Sequence, residues 1–331
     1  VRSMSSVAPF GRLTLRITPD DLHHWATRVL THLNVRDEDA ALIARCLVDV
    51  DLRGIVSHGT RQLRRYVAEF RDGQINTHPD IKILRATETT IRLDGDGGAG
   101  YLAATRAVDA ACDKALENGL AMASTCNHGH VGSEGIYARR AVERGLVSWC
   151  VAGGAGWEKP KEEDATVWDA MRAPPMCFGI PSAEGPPLIA DMNASFFNGR
   201  DHAEAAIPEF PKAVFASLGM KFVSTLLGGM LAGSVAQTEQ KFKGASRGFL
   251  FVAIDPSEIG DASAFKSDVA RIMRATLELN PISGTESAEL PGTREWKREQ
   301  EWAIDGIPIP QVHQDLLTDL ADDLGIPLPE G

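Results

Sequence analysis

Disulfide chemistry has little to work with in this chain. Its 331 residues hold five cysteines, Cys46, Cys112, Cys126, Cys150 and Cys177, and no C-x-x-C pair. An odd, scattered set excludes a disulfide framework and a thiolate zinc site, and it fits a reducing, cytoplasmic compartment. No apolar run approaches transmembrane length, and residues 1–11 lack an apolar core, so neither membrane association nor a secretory signal is expected. Basic charge is in deficit. Lys and Arg number 34 against 45 Asp and Glu, a net charge of −11. Such a balance disfavours nucleic acid and anionic membranes, and an anionic substrate would need local arginines. Internal repeats and low-complexity tracts are missing, and helices and strands follow no strict βαβ rhythm.

What is present reads as an ordinary globular composition, 44% hydrophobic and 24% charged. Thr18-Pro-Asp-Asp21 is a helix start with a Thr cap and Pro in the first turn. Helices are expected from there through Leu33, from Asp37 to Gly54, and from Thr60 to Asp72, ended by Gly73. Strands are expected at Thr89–Leu93, Leu120–Ser124, Leu146–Ala152, Leu188–Ala190 and Phe249–Ile254. Further helices are expected at Tyr101–Asn118, Ser133–Arg144, Leu218–Leu231, Phe265–Leu279 and Gln311–Leu324, with a charged loop over 153–172. The fold class is α+β (irregular α/β), with non-Rossmann mixed-sheet domains and a helical N-terminal domain. The expected division is 17–88 for the helical domain. Residues 1–16 with 89–133 and 289–331 form a core domain, and 134–288 a cofactor-type domain, shortened around 196–218.

Gly95-Asp-Gly-Gly-Ala-Gly100 matches the dinucleotide fingerprint G-x-G-x-x-G between a strand and a helix. Two features oppose that reading. The following strand ends in Thr125-Cys126-Asn127, with no acid for a ribose hydroxyl, and Asp94 and Asp96 would repel a pyrophosphate. A tight glycine turn for helix–strand packing accounts for the motif.

Three segments carry candidate chemistry. Ser57-His58 lies in a helix junction, and histidine suits proton transfer near neutral pH. His58, Arg61, Gln62 and Arg65 stand at i, i+3, i+4 and i+7, one helix face on which arginine clamps a carboxylate and the imidazole protonates an alkoxide. A solvated basic face with a capping serine has the same spacing. The second segment is Asn127-His-Gly-His-Val-Gly-Ser-Glu-Gly-Ile-Tyr137, a strand-to-helix turn suited to anions. A chelating His128-x-His130 pair is the metal alternative, but no third ligand follows at typical spacing, so no metal is expected. A polar turn with a histidine cap is the plain reading. In the third segment, Leu188-Ile-Ala-Asp-Met-Asn-Ala-Ser195, a strand ends in an acid that equally fits a simple turn.

These segments together resemble the type 2 malate/L-lactate dehydrogenase family, which includes ureidoglycolate, sulfolactate and diketogulonate dehydrogenases and cyclic imino-acid reductases. The carriers are Asp51-Leu-Arg-Gly-Ile-Val-Ser-His-Gly59 with Arg65-Tyr66, the Asn127 to Tyr137 turn, and the Asp191-Met-Asn strand end. The resemblance implies His58 as proton donor with Ser57 as its relay, and His130 as a further catalytic contact. It implies substrate binding around Arg61, Gln62 and Arg65, with Gln62 standing where the family has an arginine. Cofactor contacts are implied at His130, Val131, Gly132, Ser133, Glu134, Asp191, Met192 and Asn193, for NAD or NADP. A homodimer and a small carboxylate substrate, a 2-hydroxy or 2-oxo acid or a cyclic imino acid, are also implied. The chain departs from the pattern near Arg172-Ala-Pro-Pro175 and over Phe196 to Leu218, where the family's Lys-Gly cofactor loop is absent; Lys212 and Lys221 are its possible replacements. Those departures motivate one alternative, a cofactor-free epimerase, isomerase or lyase acting α to a carboxylate, with His58 and His130 as acid and base. A catalytically dead homologue would have no need for Ser57, His58 and His130.

Overall fold

A computed structural model describes residues 15–235 and 239–329. Residues 1–14, which carry most of the expected 1–16 segment and the stretch expected to lack a secretory signal, lie outside the described residues. Two compact units emerge. One combines Val1–Arg71 with Glu295–Gly331, and the other is Asp72–Arg294.

The first unit is mainly helical. Its elements are β1 (Leu15–Ile17), α1 (Pro19–His32), α2 (Asp37–Leu52), a 3-10 turn at Thr60–Gln62 and α3 (Leu63–Arg71). The C-terminal segment adds most of α9 (Thr293–Asp305), then β9 (Ile307–Ile309) and α10 (Gln311–Leu324). Thr18 caps α1 by accepting the Asp21 N–H at 3.1 Å, and Leu22, Trp25, Val29 and Leu30 bury its apolar stripe. Gly54 ends α2 at φ 75°, a left-handed conformation that an L side chain resists. β1 pairs antiparallel with β9, tying the two chain segments of this unit together.

The second unit is built on a seven-stranded mixed sheet, ordered β2-β3-β4-β8-β5-β6-β7. Its strands are β2 (Lys82–Ala86), β3 (Thr90–Asp94), β4 (Leu120–His128), β5 (Val147–Gly154), β6 (Pro175–Ile180), β7 (Leu188–Asn193) and β8 (Arg247–Ile254). Only β3 and β4 are parallel, joined across α4 (Gly100–Asn118); the other neighbours run antiparallel. α4 and α5 (Gly135–Val142) lie on one face of this open, α+β sheet. On the other face α7 (Pro211–Ser224) continues into a π-helical segment, Thr225–Leu231. Glycine allows that approach: a Cβ on Gly229 would stand 2.2 Å from the Gly154 carbonyl, and one on Gly228 2.8 Å from Ala152 N.

The seven-stranded sheet and the principal helices, α8 (Ala262–Leu277) among them, follow the sequence expectations, with six helices and strands added. β1, β2, β6 and β9 are new strands, α6 (Arg200–Ala206) fills part of 196–218, and α9 is a new helix. α7 begins seven residues before the expected Leu218, because Pro211 supplies its first turn. The helical run Pro211–Leu231 is 21 residues long and apolar enough, by length and composition, to cross a membrane, a correction to the expectation that no run approaches that length. Val214, Ser217, Lys221, Ser224, Gly228 and Gly229 bury one side of it within this unit.

The glycine turn Gly95–Gly100 is filled by the protein itself. A Cβ on Gly95 would lie 2.7 Å from the His128 Cβ, and one on Gly100 2.5 Å from the Gly129 carbonyl. Asp94 Oδ1 accepts from Asp96 N–H and from the Asn127 amide, and Asp96 Oδ2 accepts from the Asp80 N–H. The two acids are turn-builders, and the glycines let helix and strand meet.

Candidate active site

The first unit holds Ser57, His58, Arg61, Gln62 and Arg65. Ser57 is exposed at the tip of the α2–α3 junction, His58 is half-buried, and Ser57 Oγ lies 2.8 Å from His58 Nδ1. A serine on Nδ1 orients the ring. The His58 N–H donates to the Ile55 carbonyl at 3.0 Å, which defines the turn.

The continuous helix face expected from His58 to Arg65 is replaced by a turn and a 3-10 segment. His58 precedes that segment, and Gln62 bends back so that its Nε2 donates to the Ser57 carbonyl at 2.6 Å. Gln62 is therefore a clamp on the Ser57–His58 turn, and its amide is engaged within the loop. Arg65 pairs with Glu69 at 2.7 Å one helical turn on. Arg61 is exposed and makes no hydrogen bond or ion pair among the described residues, which leaves its guanidinium available to a carboxylate.

The second unit holds the remaining candidates. The turn after β4 is tightly packed. Gly132 takes φ 80° against Tyr101, and Tyr137 Oη donates to the Val131 carbonyl at 2.6 Å. Val131, Gly132, Ser133 and Glu134 are buried; His130 is half-buried. Asp191, at the end of β7, reaches the start of α5. Its Oδ2 accepts from Ser133 Oγ at 2.6 Å and from the Gly135 N–H at 2.8 Å. The anion position at this helix start is thus taken by the protein's own carboxylate. Met192, on the opposite face of β7, packs with Val151, Met176 and Leu250. The Asn193 Oδ1 accepts the Ser195 N–H at 2.8 Å, a local turn. These residues do not fit the phosphates of a dinucleotide, since the donors at α5 are committed and an acid stands among them.

Glu134, expected among the cofactor contacts, is instead fully buried. Neither carboxyl oxygen has a hydrogen-bond partner among the described residues. Burial drives its pKa well above the usual carboxyl range; the Cys150 thiol pulls the other way and the nearby Asp191 charge adds to the rise.

His128 cannot chelate alongside His130. Its Nδ1 donates to the Gly129 carbonyl at 2.8 Å and its Nε2 accepts from Thr125 Oγ1 at 2.8 Å. The ring is buried and neutral, its pKa lowered by desolvation to about 4. Of the two lysines considered as cofactor contacts, Lys221 is buried. Its Nζ donates to the Trp168 carbonyl and lies 4.2 Å from the centre of the Trp168 ring. Lys212 is exposed in the first turn of α7.

Sequence reasoning passed over three buried polar groups beneath the His58 turn. Asp51 Oδ2 accepts the Thr60 N–H at 2.8 Å and the Thr60 hydroxyl at 2.5 Å, and His313 Nε2 on α10 lies 3.1 Å from the same hydroxyl. Asp51 was visible as a motif residue. His313 stands 253 positions from Thr60, with no local signal linking them.

Comparison with known proteins agrees with the motif reading. A malate dehydrogenase of Pyrococcus abyssi is 35% identical over 181 residues, covering 55% of this chain and 49% of that protein. The chain thus spans about half the length of that relative in the match. A ureidoglycolate dehydrogenase (NAD(+)) of Escherichia coli O157:H7 is 24% identical over 92% of this chain and 96% of its own. The solved malate dehydrogenase of Pyrococcus horikoshii OT3 shares the fold with a TM-score of 0.82 at 23% identity, covering 97% of this chain and 98% of that one. The pattern of the malate/L-lactate dehydrogenase family matches residues 17–207 and 212–318, and on that match the chain belongs to this family.

Proposed function

We propose that the protein is an NAD(P)-dependent oxidoreductase of a small 2-hydroxy or 2-oxo acid, or of a cyclic imino acid. The observation that carries the reading is the Ser57–His58 pair, 2.8 Å apart, with the exposed Arg61 guanidinium three residues beyond the histidine. Family membership and the NAD(+) named in the ureidoglycolate relative support the same class. A nicotinamide cofactor supplies hydride chemistry when bound. The chain's own part is the proton: His58 Nε2 gives it to the substrate oxygen in reduction and takes it in oxidation, while Ser57 holds Nδ1. Arg61 is the group for the substrate carboxylate. NAD is the proposed cofactor, and no phosphate contact is assigned to the α5 turn. The family match and the NAD(+)-named relative favour this reading over a cofactor-free reaction.

We also propose a homodimer in the cytoplasm. Five free, buried cysteines support a reducing compartment. One sheet face supports association. Met122, Val252, Trp149 and Phe178 form one row across β4, β8, β5 and β6, with Met122 42% and Phe178 39% exposed. Phe215, Leu226 and Met230 of the helix on that face are also exposed. A monomer rarely leaves so much contiguous apolar surface in water. The deciding assay is oxidation of a panel of 2-hydroxy acids with NAD or NADP, followed by absorbance of the reduced cofactor. Turnover of one of them is expected; no reduction of either cofactor across the panel would sink the reading.

A further inference from the structure

We propose that Asp51, Thr60 and His313 form a buried positioning trio that fixes the Ser57–His58 turn, and that the reach of the His58 imidazole depends on it. This rests on the reading of His58 as the proton donor. The Ser57–His58 turn is short and surface-facing, and a loop of that kind wanders unless its ends are fixed. Its N-terminal end follows Asp51 in the last turn of α2, and its C-terminal end is Thr60. The Asp51 carboxyl joins the two ends directly, through the N–H and the hydroxyl of Thr60.

Gly59 completes the closure. A Cβ there would fall 1.8 Å from Asp51 Oδ1, so only glycine lets the backbone settle on the acid. His313 closes the arrangement from α10. Thr60 has one hydroxyl hydrogen, which it gives to Asp51. His313 Nε2 is therefore left to donate to Thr60 Oγ1, and this fixes the imidazole in one tautomer.

All three groups are withdrawn from water: Thr60 is 0% exposed, His313 2% and Asp51 3%. Burial raises the Asp51 pKa to about 7 and lowers that of His313 to about 4, with the Arg61 charge adding to the latter. A helical unit with an apolar core gains nothing in stability from three such groups over apolar residues of the same volume. What they add is direction. Hydrogen bonds fix Thr60 at one distance from α2 and α10, and His58 is two residues away. A proton donor displaced by about 1 Å loses much of its rate.

The test compares Thr60→Val, Thr60→Ser and His313→Gln with the wild type, each checked for folding by its thermal midpoint. Two readouts are taken: turnover on the acid panel, and the titration midpoint of the His58 ring by NMR, assigned by its loss in His58→Gln. Thr60→Val should lower kcat roughly ten- to a hundredfold. It should also move the His58 midpoint by roughly half a pH unit or more. Thr60→Ser should restore both, because it returns the hydroxyl. If Thr60→Val does not fold, His313→Gln carries the test. Folded variants with wild-type kcat and an unmoved His58 midpoint would overturn the proposal. Should the wild type turn over none of the acids, the oxidoreductase reading fails separately, and the His58 midpoint alone decides for or against the trio.

Discussion

Asp191 Oδ2 lies 2.6 Å from Ser133 Oγ across 58 residues of chain, so the end of β7 supplies the cap for α5. The bond joins two segments that look like separate cofactor contacts in the sequence. In the fold they are one structural device: a carboxylate at a helix start accepts the orphan N–H of Gly135 and complements the helix dipole. Asp191→Ala should therefore lower unfolding stability by about 1–2 kcal/mol, the usual cost of a lost cap. Asp191→Asn keeps an acceptor and should cost less. Urea unfolding measures both, and equal midpoints for Asp191→Ala and the wild type would remove the cap from the account.

His58→Ala should leave the fold intact and lower turnover by roughly a hundredfold or more, the scale of a lost general acid. His58 is half-buried on a turn held by Asp51 and Gln62, so its ring is not what holds that turn. Near-normal kcat in a folded His58→Ala protein would exclude it from the chemistry.

Much of this arrangement is legible in the sequence wherever the determinant is local. Thr18 before Pro19, Gly54 after α2 and Gly119 after α4 mark boundaries by their own conformational preferences, and Gly119 takes φ 82°. The rejection of the Gly95–Gly100 fingerprint also follows from neighbours in sequence. β2 escaped because four of its five residues are exposed and it shows no alternation. α9 escaped because its thirteen residues are crowded with charge and few of them are buried. At the site, Ser57-His58 was legible as a motif. The second role of Gln62, the burial of Glu134 and the His313 contact come from tertiary placement, which one sequence does not display.

Glu134 makes the fold pH-dependent in a direction opposite to the common carboxylate. Its folded pKa is raised well above 4.5 by burial, so the native state holds a proton that the unfolded chain releases. Stability from this group is full below the unfolded pKa and falls as pH rises from there toward the folded value. Glu134→Gln keeps the shape without the ionisation. Its stability relative to wild type should therefore be higher at pH 8 than at pH 5. Urea midpoints at the two pH values read this directly, and a constant difference between the proteins would show that Glu134 does not titrate abnormally.

The apolar row through Trp149 and Phe178 gives a prediction about assembly. Their rings stack with centroids 6.3 Å apart on the open sheet face. Phe178→Glu should place a charge in the middle of the proposed homodimer interface and shift the protein toward monomer in light scattering at micromolar concentration. A wild-type protein already monomeric under those conditions would refute the dimer.

Lys221 separates structural from cofactor-binding roles. The family's lysine-glycine loop is missing, and Lys221 is one of the two lysines nearest the gap. Yet it is 3% exposed, bonded to the Trp168 carbonyl and stacked on the Trp168 ring. Burial lowers its pKa. An ammonium so committed has no face left for a phosphate, and exposed Lys212 is anchored to nothing among the described residues. A lost charge-assisted phosphate contact costs about 1.5–3 kcal/mol, roughly ten- to a hundredfold in affinity. If neither lysine makes that contact, Lys221→Met and Lys212→Ala should each bind NADH within about threefold of wild type, by fluorescence titration. Lys221→Met should lower the unfolding midpoint, because the Trp168 carbonyl loses its partner, while Lys212→Ala should not. A tenfold loss of NADH affinity in Lys221→Met with an unchanged midpoint would reverse the assignment. Absence of any binding to the wild type at millimolar NADH or NADPH would remove the nicotinamide cofactor from the proposed function.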